Sequence, residues 1–423
     1  MFTMIRAIKG IKDILPDQLP RWNVVEGAAH QLARCYGFRE IRIPIFEITE
    51  LYIRSIGGTT DIVEKEMYTF NDRDGTSLTL RPEGTAGVVR AIIEHGLANN
   101  PATRKLYYIG PMFRHERPQA GRFRQFNQFG VEFIGSTSPK ADVEVISLLW
   151  RFFSTLALPS ITLEINSLGQ PPERQRYKAV LLTYLQGKID RLCGNCQRRM
   201  EFNPLRVLDC KVMECRAVTE SAPSLIDYLS TSAQHFKDVR AGLEDLGIPY
   251  SLNSRLVRGL DYYSMTTFEV TSSSLGAQNT IGAGGRYDGL FEVLGGKSTP
   301  AIGFAVGLER VISILPESAM PLPNPLVFIA GFGNRGLPAS FRLLEALRSK
   351  GVTAETDHYG SSLKNLLRLA DRLGASFTII LGDEECIQGQ VLLRNMYTKE
   401  QETIPLNSAP DVLANRLKTP NSP

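Results

Sequence analysis

The chain is expected to fold as an α+β domain followed by a separate α/β domain. In the first, an antiparallel sheet is flanked by helices and interrupted by a mostly helical insertion. Three observations carry this expectation. Two long alternating segments on either side of RPQAGRF read as paired strands. The stretch from about Gln170 to Ile248 turns helical and charged. Beyond the proline-rich PESAMPLPNP, strands and helices alternate in a new rhythm. Length agrees, because 423 residues exceed what one core organises.

Taken in order, Trp22, Val25, Ala29, Leu32 and Tyr36 form one helical stripe over 20–36, which Gly37 ends. A short strand is expected from Phe38 to Phe46. Pro44 within it cannot donate a ladder hydrogen bond, so this strand should lie at an edge or against another subunit. From Leu78 to Gly135 the pattern reads strand, helix, then the two long strands. ITLEIN at 161–166 adds another, and strands resume over Leu256–Val270 and continue to GAGGRYDGL and AIGFAVGLER. The linker divides the chain into domains at 1–320 and 325–423. In the second, LVFIAGF, a helix near 338–349, VTAETD, a helix at 362–373, SFTIILG and a final helix predict a mixed or parallel sheet.

No apolar run is long enough to span a membrane, although 43% of residues are hydrophobic. Arg6, Lys9, Lys12 and Asp13 interrupt the first residues, which lack the apolar centre of a secretion signal, so a cytoplasmic location is expected. A net charge of +4 neither demands nor excludes RNA, since basic groups can gather on one face. Cys35 and Cys386 are isolated and read as small apolar residues. The other four fall as Cys193-x₂-Cys196, thirteen residues, then Cys210-x₄-Cys215. At that spacing four thiolates could close a tetrahedral structural zinc site; reduced thiols are the alternative, and both stay open.

Residues two apart share a face of a strand. Met112, Arg114 and Glu116 therefore align on the first long strand. Phe126, Gln128, Gly130 and Glu132 align on the second, with Val131 and Phe133 opposite. Ionised groups in mid-sheet are costly unless paired or liganded, although a solvated face explains simple alternation equally well. In AIGFAVGLER, Ala301, Gly303, Ala305 and Gly307 form a face nearly free of side chains, backed by Ile302, Phe304, Val306 and Leu308. Such a flat strand admits a planar ligand, and Arg310 follows where a phosphate can lie.

GPMFRHERPQ with RQFNQFGVE resembles the second signature motif of the class II aminoacyl-tRNA synthetases. GFAVGLER resembles the third, and the helix plus strand ending at Pro44 resembles the first. LTLRPEGTAGVVR, LVRGLDYYSMTTFE and GAGGRYDGL are similar to the histidyl members of that class, in order along nearly the whole chain.

The resemblance implies a histidine–tRNA ligase that makes histidyl-adenylate from L-histidine and ATP, with Mg²⁺ on the phosphates, then charges tRNA-His. It implies that Glu83, Thr85 and Gln128 hold the histidine ammonium, although helix capping is an ordinary role for Thr85. Glu132 and Tyr263 are to grip the imidazole, with Tyr262 and Tyr287 lining the pocket or merely packing. Arg114 is assigned to the α-phosphate, Arg310 to the γ-phosphate and Glu116 to adenine or ribose; Arg122 lies near pyrophosphate or the acceptor end. Arg258 is to stabilise charge built up as the carboxylate attacks phosphorus. Arg117, Gln119 and Arg124 are assigned to the tRNA acceptor stem, and the terminal domain to the anticodon. A homodimer is implied as well. The rival reading is a regulatory paralogue that binds histidine without charging tRNA; the retained Arg114, Glu116, Arg258 and Arg310 and the extra domain weigh against it.

Overall fold

The computed structural model describes residues 4–58, 60–97, 103–117, 121–276, 279–320, 325–359 and 361–418. These belong to two units, Met1–Pro321 and Leu322–Pro423, with separate cores. Among the described residues no helix is long and apolar enough to cross a membrane.

Helix α1 (Leu19–Cys35) carries Pro20 in its first turn, where a fixed φ is suited, and buries Trp22, Val25, Ala29 and Ala33 at helical spacing. The single strand expected over Phe38–Phe46 is instead two, β1 (Arg39–Glu40) and β2 (Phe46–Ile48). Pro44 lies between them, where the chain leaves one sheet for another. There Arg81 donates to the carbonyls of Ile43 (2.7 Å) and Pro44 (3.2 Å), which have no strand partner. Helix α2 (Thr49–Ile56) and strands β3 (Tyr68–Asn71) and β4 (Ser77–Leu80) follow, and β2, β4 and β3 make a small antiparallel sheet. Helix α3 (Thr85–Glu94) leads to the long pair β5 (Arg104–Phe113) and β6 (Gln125–Ile134).

Helix α4 (Pro139–Thr155) and β7 (Ile161–Ser167) precede the insertion, which carries α5 (Pro171–Gln186), α6 (Gly194–Phe202), α7 (Met213–Glu220) and α8 (Ala233–Asp245). The unit ends with β8 (Ser251–Leu252), β9 (Ser264–Ser272), β10 (Thr280–Arg286), α9 (Leu290–Val293), β11 (Ala301–Gly307) and α10 (Leu308–Ser313). The strand expected from Leu256 begins only at Ser264. Val257 and Tyr263 are drawn into the apolar core of the insertion, so the intervening residues form a loop.

The large sheet runs β1-β5-β6-β11-β10-β9-β7-β8. Its six central strands are antiparallel, while the short edges β1 and β8 pair in parallel, so the sheet is mixed at its margins. Phe129 and Val131 of β6 and Phe304 and Val306 of β11 face a core with α1 and α4. The Phe129 ring lies 5.2 Å from Phe152 and 5.5 Å from Phe304. Each buried phenylalanine contributes about 1.5–3 kcal/mol. A one-residue slip would turn these rings outward and push Gln128 and Glu132 into the core, so register is firmly set. Fully buried Arg286 on β10 pairs with Asp142 at the start of α4 (Nη2–Oδ1, 2.6 Å), and His235 of α8 meets the same carboxylate at 2.8 Å.

The second unit comprises β12 (Val327–Gly331), α11 (Gly333–Ser349), β13 (Ala354–Thr356), α12 (Leu363–Arg372), β14 (Phe377–Leu381), α13 (Asp383–Gln388), β15 (Gln390–Asn395), β16 (Gln401–Pro405) and α14 (Ala409–Lys418). Its sheet, β13-β12-β14-β15-β16, is parallel over the first three strands and antiparallel over the rest. The β15–β16 hairpin lacks the glycine turn that would mark it in sequence. Asn395 Oδ1 instead accepts from Tyr397 N (2.8 Å) and Thr398 N (3.2 Å), and Lys399 takes a left-handed φ of 64°.

Candidate active site

The face of β6 and β11 turned away from α4 floors a cavity of about 360 Å³. Glu83, Thr85, Arg114, Glu116, Arg122, Gln128, Arg258, Tyr262, Tyr263, Tyr287 and Arg310 all line it. Glu132 is fully buried against its floor. Arg117 and Arg124 are not in the lining, and Gln119 lies outside the described residues.

At the buried end, the paired register sets Glu132 opposite Gly303. A Cβ on Gly303 would stand 2.0 Å from Glu132 Oε2, so the bare strand accommodates a carboxylate of the chain itself. Thr85 Oγ1 donates to Glu132 Oε1 (2.7 Å), and Tyr287 Oη donates to Oε2. Burial raises the Glu132 pKa to about 8, against the lowering influence of these two hydroxyls. Thr85 is the first residue of α3 and is not its cap. The capping groups are the oxygens of Glu83, which accept from Thr85 N (2.7 Å) and Ala86 N (2.8 Å). Burial still raises the Glu83 pKa despite those donors. The Tyr262 ring packs 4.7 Å from Tyr263 and 5.7 Å from Tyr287. Gln128 Oε1 is buried with no hydrogen-bond partner.

Arg114 and Glu116 lie just past the end of β5 rather than within it. Arg114 N donates to Arg124 O (2.9 Å), Arg124 N donates to Gly10 O (2.7 Å), and Arg114 Nε donates to Pro82 O (2.8 Å). Glu116 pairs with Arg122 at 2.8 Å. Arg310 is held by the carbonyls of Thr280 (2.6 Å) and Gly121 (3.3 Å); burial and nearby Arg122 lower its pKa. Arg258 donates to Glu269 at 2.6 Å, and Thr280 donates to the other oxygen of that carboxylate. Burial opposes the Arg258 charge, but Glu269 outweighs it and the pKa rises.

Four groups here escaped the sequence reading. Tyr108, directly across from Gly130, fills the gap that glycine leaves; a Cβ at Gly130 or Gly84 would meet its ring at 2.3 Å. Glu269 is the anchor for Arg258. Glu309 holds Asn127 N at 2.8 Å; its Oε2 is buried without a partner, and burial raises its pKa to about 7. Arg206 donates to Gly259 O (2.9 Å), and with Asn203 Nδ2 on Asp261 Oδ1 (2.8 Å) it ties the Arg258 loop to the insertion. Only Glu269 and Glu309 had a sequence signal, as acidic residues inside segments already singled out, LVRGLDYYSMTTFE and GFAVGLER.

The arrangement offers a buried acceptor, a cluster of tyrosines and several arginines gathered over one face of the sheet. A family model described as histidyl-tRNA synthetase matches residues 10–311, and an anticodon binding domain model matches 327–416. A histidine–tRNA ligase of Desulfatibacillum aliphaticivorans is 50% identical over 414 residues, covering 97% of this chain and 99% of the relative. One from Syntrophotalea carbinolica is 48% identical, covering 98% and 99%. The apo histidyl-tRNA synthetase of S. aureus superposes with a TM-score of 0.82 at 38% identity, covering 97% of this chain and all of that one.

Proposed function

The chain belongs to the histidyl-tRNA synthetase family and is an ATP-dependent ligase that joins histidine to tRNA-His; we propose that the cavity over β6 and β11 carries out both steps. The reading rests above all on Glu132. It is a wholly buried carboxylate supplied only with neutral hydroxyl donors, at the end of a cavity rimmed by arginines. An imidazole N–H or imidazolium supplies what it lacks. Beside it, the unpartnered Gln128 Oε1 and the remaining lone pairs of Glu83 accept from the histidine ammonium, with Thr85 alongside. Tyr263, Tyr262 and Tyr287 enclose the ring.

The histidine carboxylate attacks the α-phosphorus of ATP and pyrophosphate leaves. Arg258, fixed by Glu269, and Arg114, fixed on the Pro82 carbonyl, meet the charge that develops there. Arg310 takes the γ-phosphate, Glu116 orients adenine or ribose, and Arg122 lies near pyrophosphate. A Mg²⁺ ion suits the donor set: Glu309 Oε2, a buried, unpartnered carboxylate oxygen on the same cavity, would help to hold it, and it would offset the phosphate charge. A ribose hydroxyl of the terminal adenosine then attacks the histidyl-adenylate carbonyl and AMP departs.

Arg117, Gln119 and Arg124 are assigned to the acceptor stem, and the domain at 325–423 to the anticodon. A class II homodimer is supported by the small β2-β4-β3 sheet. Phe46 (53% exposed), Ile48 (53%) and Phe70 (44%) leave it an apolar surface, with the Phe46 and Phe70 rings 6.3 Å apart. Sedimentation tests that assembly. A cytoplasmic location follows from the tRNA substrate, and fractionation tests it.

Pyrophosphate exchange run separately with all twenty amino acids should respond to histidine alone, and tRNA-His should then be charged. Histidine binding without exchange would favour the regulatory paralogue instead.

A further inference from the structure

The four clustered cysteines have no part in the reaction, yet the fold gathers them. Their sulfurs all lie within 4.8 Å of one another, and Cys193 Sγ stands 3.9 Å from Cys210 Sγ. Zinc–thiolate bonds of about 2.3 Å in a tetrahedron set sulfurs about 3.8 Å apart. Cys196, Cys210 and Cys215 are buried, and Cys193 is half-buried at the surface of the insertion. Cys193 occupies the N-cap position of α6 and Cys215 lies in the first turn of α7, helix ends that suit a metal-bound sulfur. Cys193 N also donates to Cys215 Sγ at 3.1 Å, as backbone amides do around metal-bound sulfur.

We propose that Cys193, Cys196, Cys210 and Cys215 bind one structural zinc ion per chain, and that this ion fixes the wall of the cavity carrying Arg258. Binding displaces the thiol protons, leaving a closed tetrathiolate with no open position for chemistry. The link to the cavity is short. Cys196, Cys210 and Cys215 share one apolar core with Val257 and Tyr263, on either side of Arg258. Between Cys196 and Cys210 the chain supplies Asn203 and Arg206, which hold Asp261 and Gly259. Asp209 and Lys211, flanking Cys210, line the cavity itself. An ion joining the ends of this segment stiffens the loop that must hold a guanidinium still.

Metal analysis of the full-length protein, purified without chelator, tests the site. One zinc per chain is expected, with only Cys35 and Cys386 reacting quickly with a thiol reagent and all six cysteines reacting after chelation. Cobalt substitution should give the charge-transfer and red absorption bands of a tetrahedral tetrathiolate. Cys196→Ser should lose most of the metal, whereas Cys35→Ser should keep it. Protein free of zinc with six reactive thiols, or a Cys193–Cys210 disulfide, overturns the site. The link to the cavity rests on the function proposed above and is read separately. Removing zinc should lower kcat for histidine-dependent exchange at least tenfold with little change in KM for ATP. Unchanged kcat in metal-free, folded protein overturns the link, while a zinc-loaded protein inactive with histidine faults the active-site reading and leaves the metal site standing.

Discussion

Among the buried carboxylates of the first unit, two that are wholly enclosed, Asp142 and Glu132, are provided for in opposite ways. Asp142 is met by a full guanidinium, Arg286, and by His235, all from the chain itself. Glu132 has only the hydroxyls of Thr85 and Tyr287, and its pKa is pushed up to about 8. The first is a finished ion pair that fixes α4 to β10. The second is an unfinished one, and the missing partner is the ligand. An unpaired buried charge is costly, so a fold retains one where something else completes it.

The largest effect should come from spoiling the finished pair. Asp142→Ala takes the buried carboxylate from Arg286, leaving it Asp288 and the carbonyls of Ser136 and Ser138, and is expected to cost about 3–5 kcal/mol in urea unfolding. A loss under 1 kcal/mol would mean that these remaining acceptors satisfy Arg286 by themselves and the contrast is overstated. Arg258→Ala should come next, lowering kcat by about 10²–10³-fold while histidine binding measured by calorimetry stays near wild type. Equal losses in both would assign Arg258 to ground-state binding.

Glu132→Gln should weaken histidine binding by roughly 1.5–3 kcal/mol and erode selectivity against other amino acids. Its stability effect should have the reverse sign of Asp142→Ala. The folded pKa of Glu132 lies above the ordinary 4.5, so its contribution to stability is fully present below that value and is lost as pH rises through about 8. Wild type without ligand should therefore lose stability relative to Glu132→Gln between these limits. Parallel Tm profiles of the two proteins would show that Glu132 is already satisfied without ligand. Tyr287→Phe should have the smallest effect, about 1–2 kcal/mol on histidine affinity, with the Glu132 titration moving further up.

Much of this architecture was legible from periodicity. The alternation of Gln128 and Glu132 against Val131 and Phe133 marked which face of β6 is core, and Ile302, Phe304 and Val306 did the same for β11. Most candidate residues came from the family resemblance, and the cavity brings together those from five separate stretches of chain. The roles of Tyr108 and Arg206 were hidden, because each depends on a partner distant in sequence, Gly130 and Gly259. The division of the Phe38–Phe46 strand was hidden for a related reason. Pro44 announces a missing donor, but only the tertiary placement of Arg81 shows that two sheets part there.

The ring of Tyr108 occupies the space of two absent side chains, those of Gly84 and Gly130. These three positions, spread over 47 residues, thus behave as a single letter in the alphabet of the family. A relative that gives up the tyrosine gains room for a larger residue at either glycine, while one that keeps it is barred from both. In evolutionary terms the pocket wall should change in one linked move or not at all.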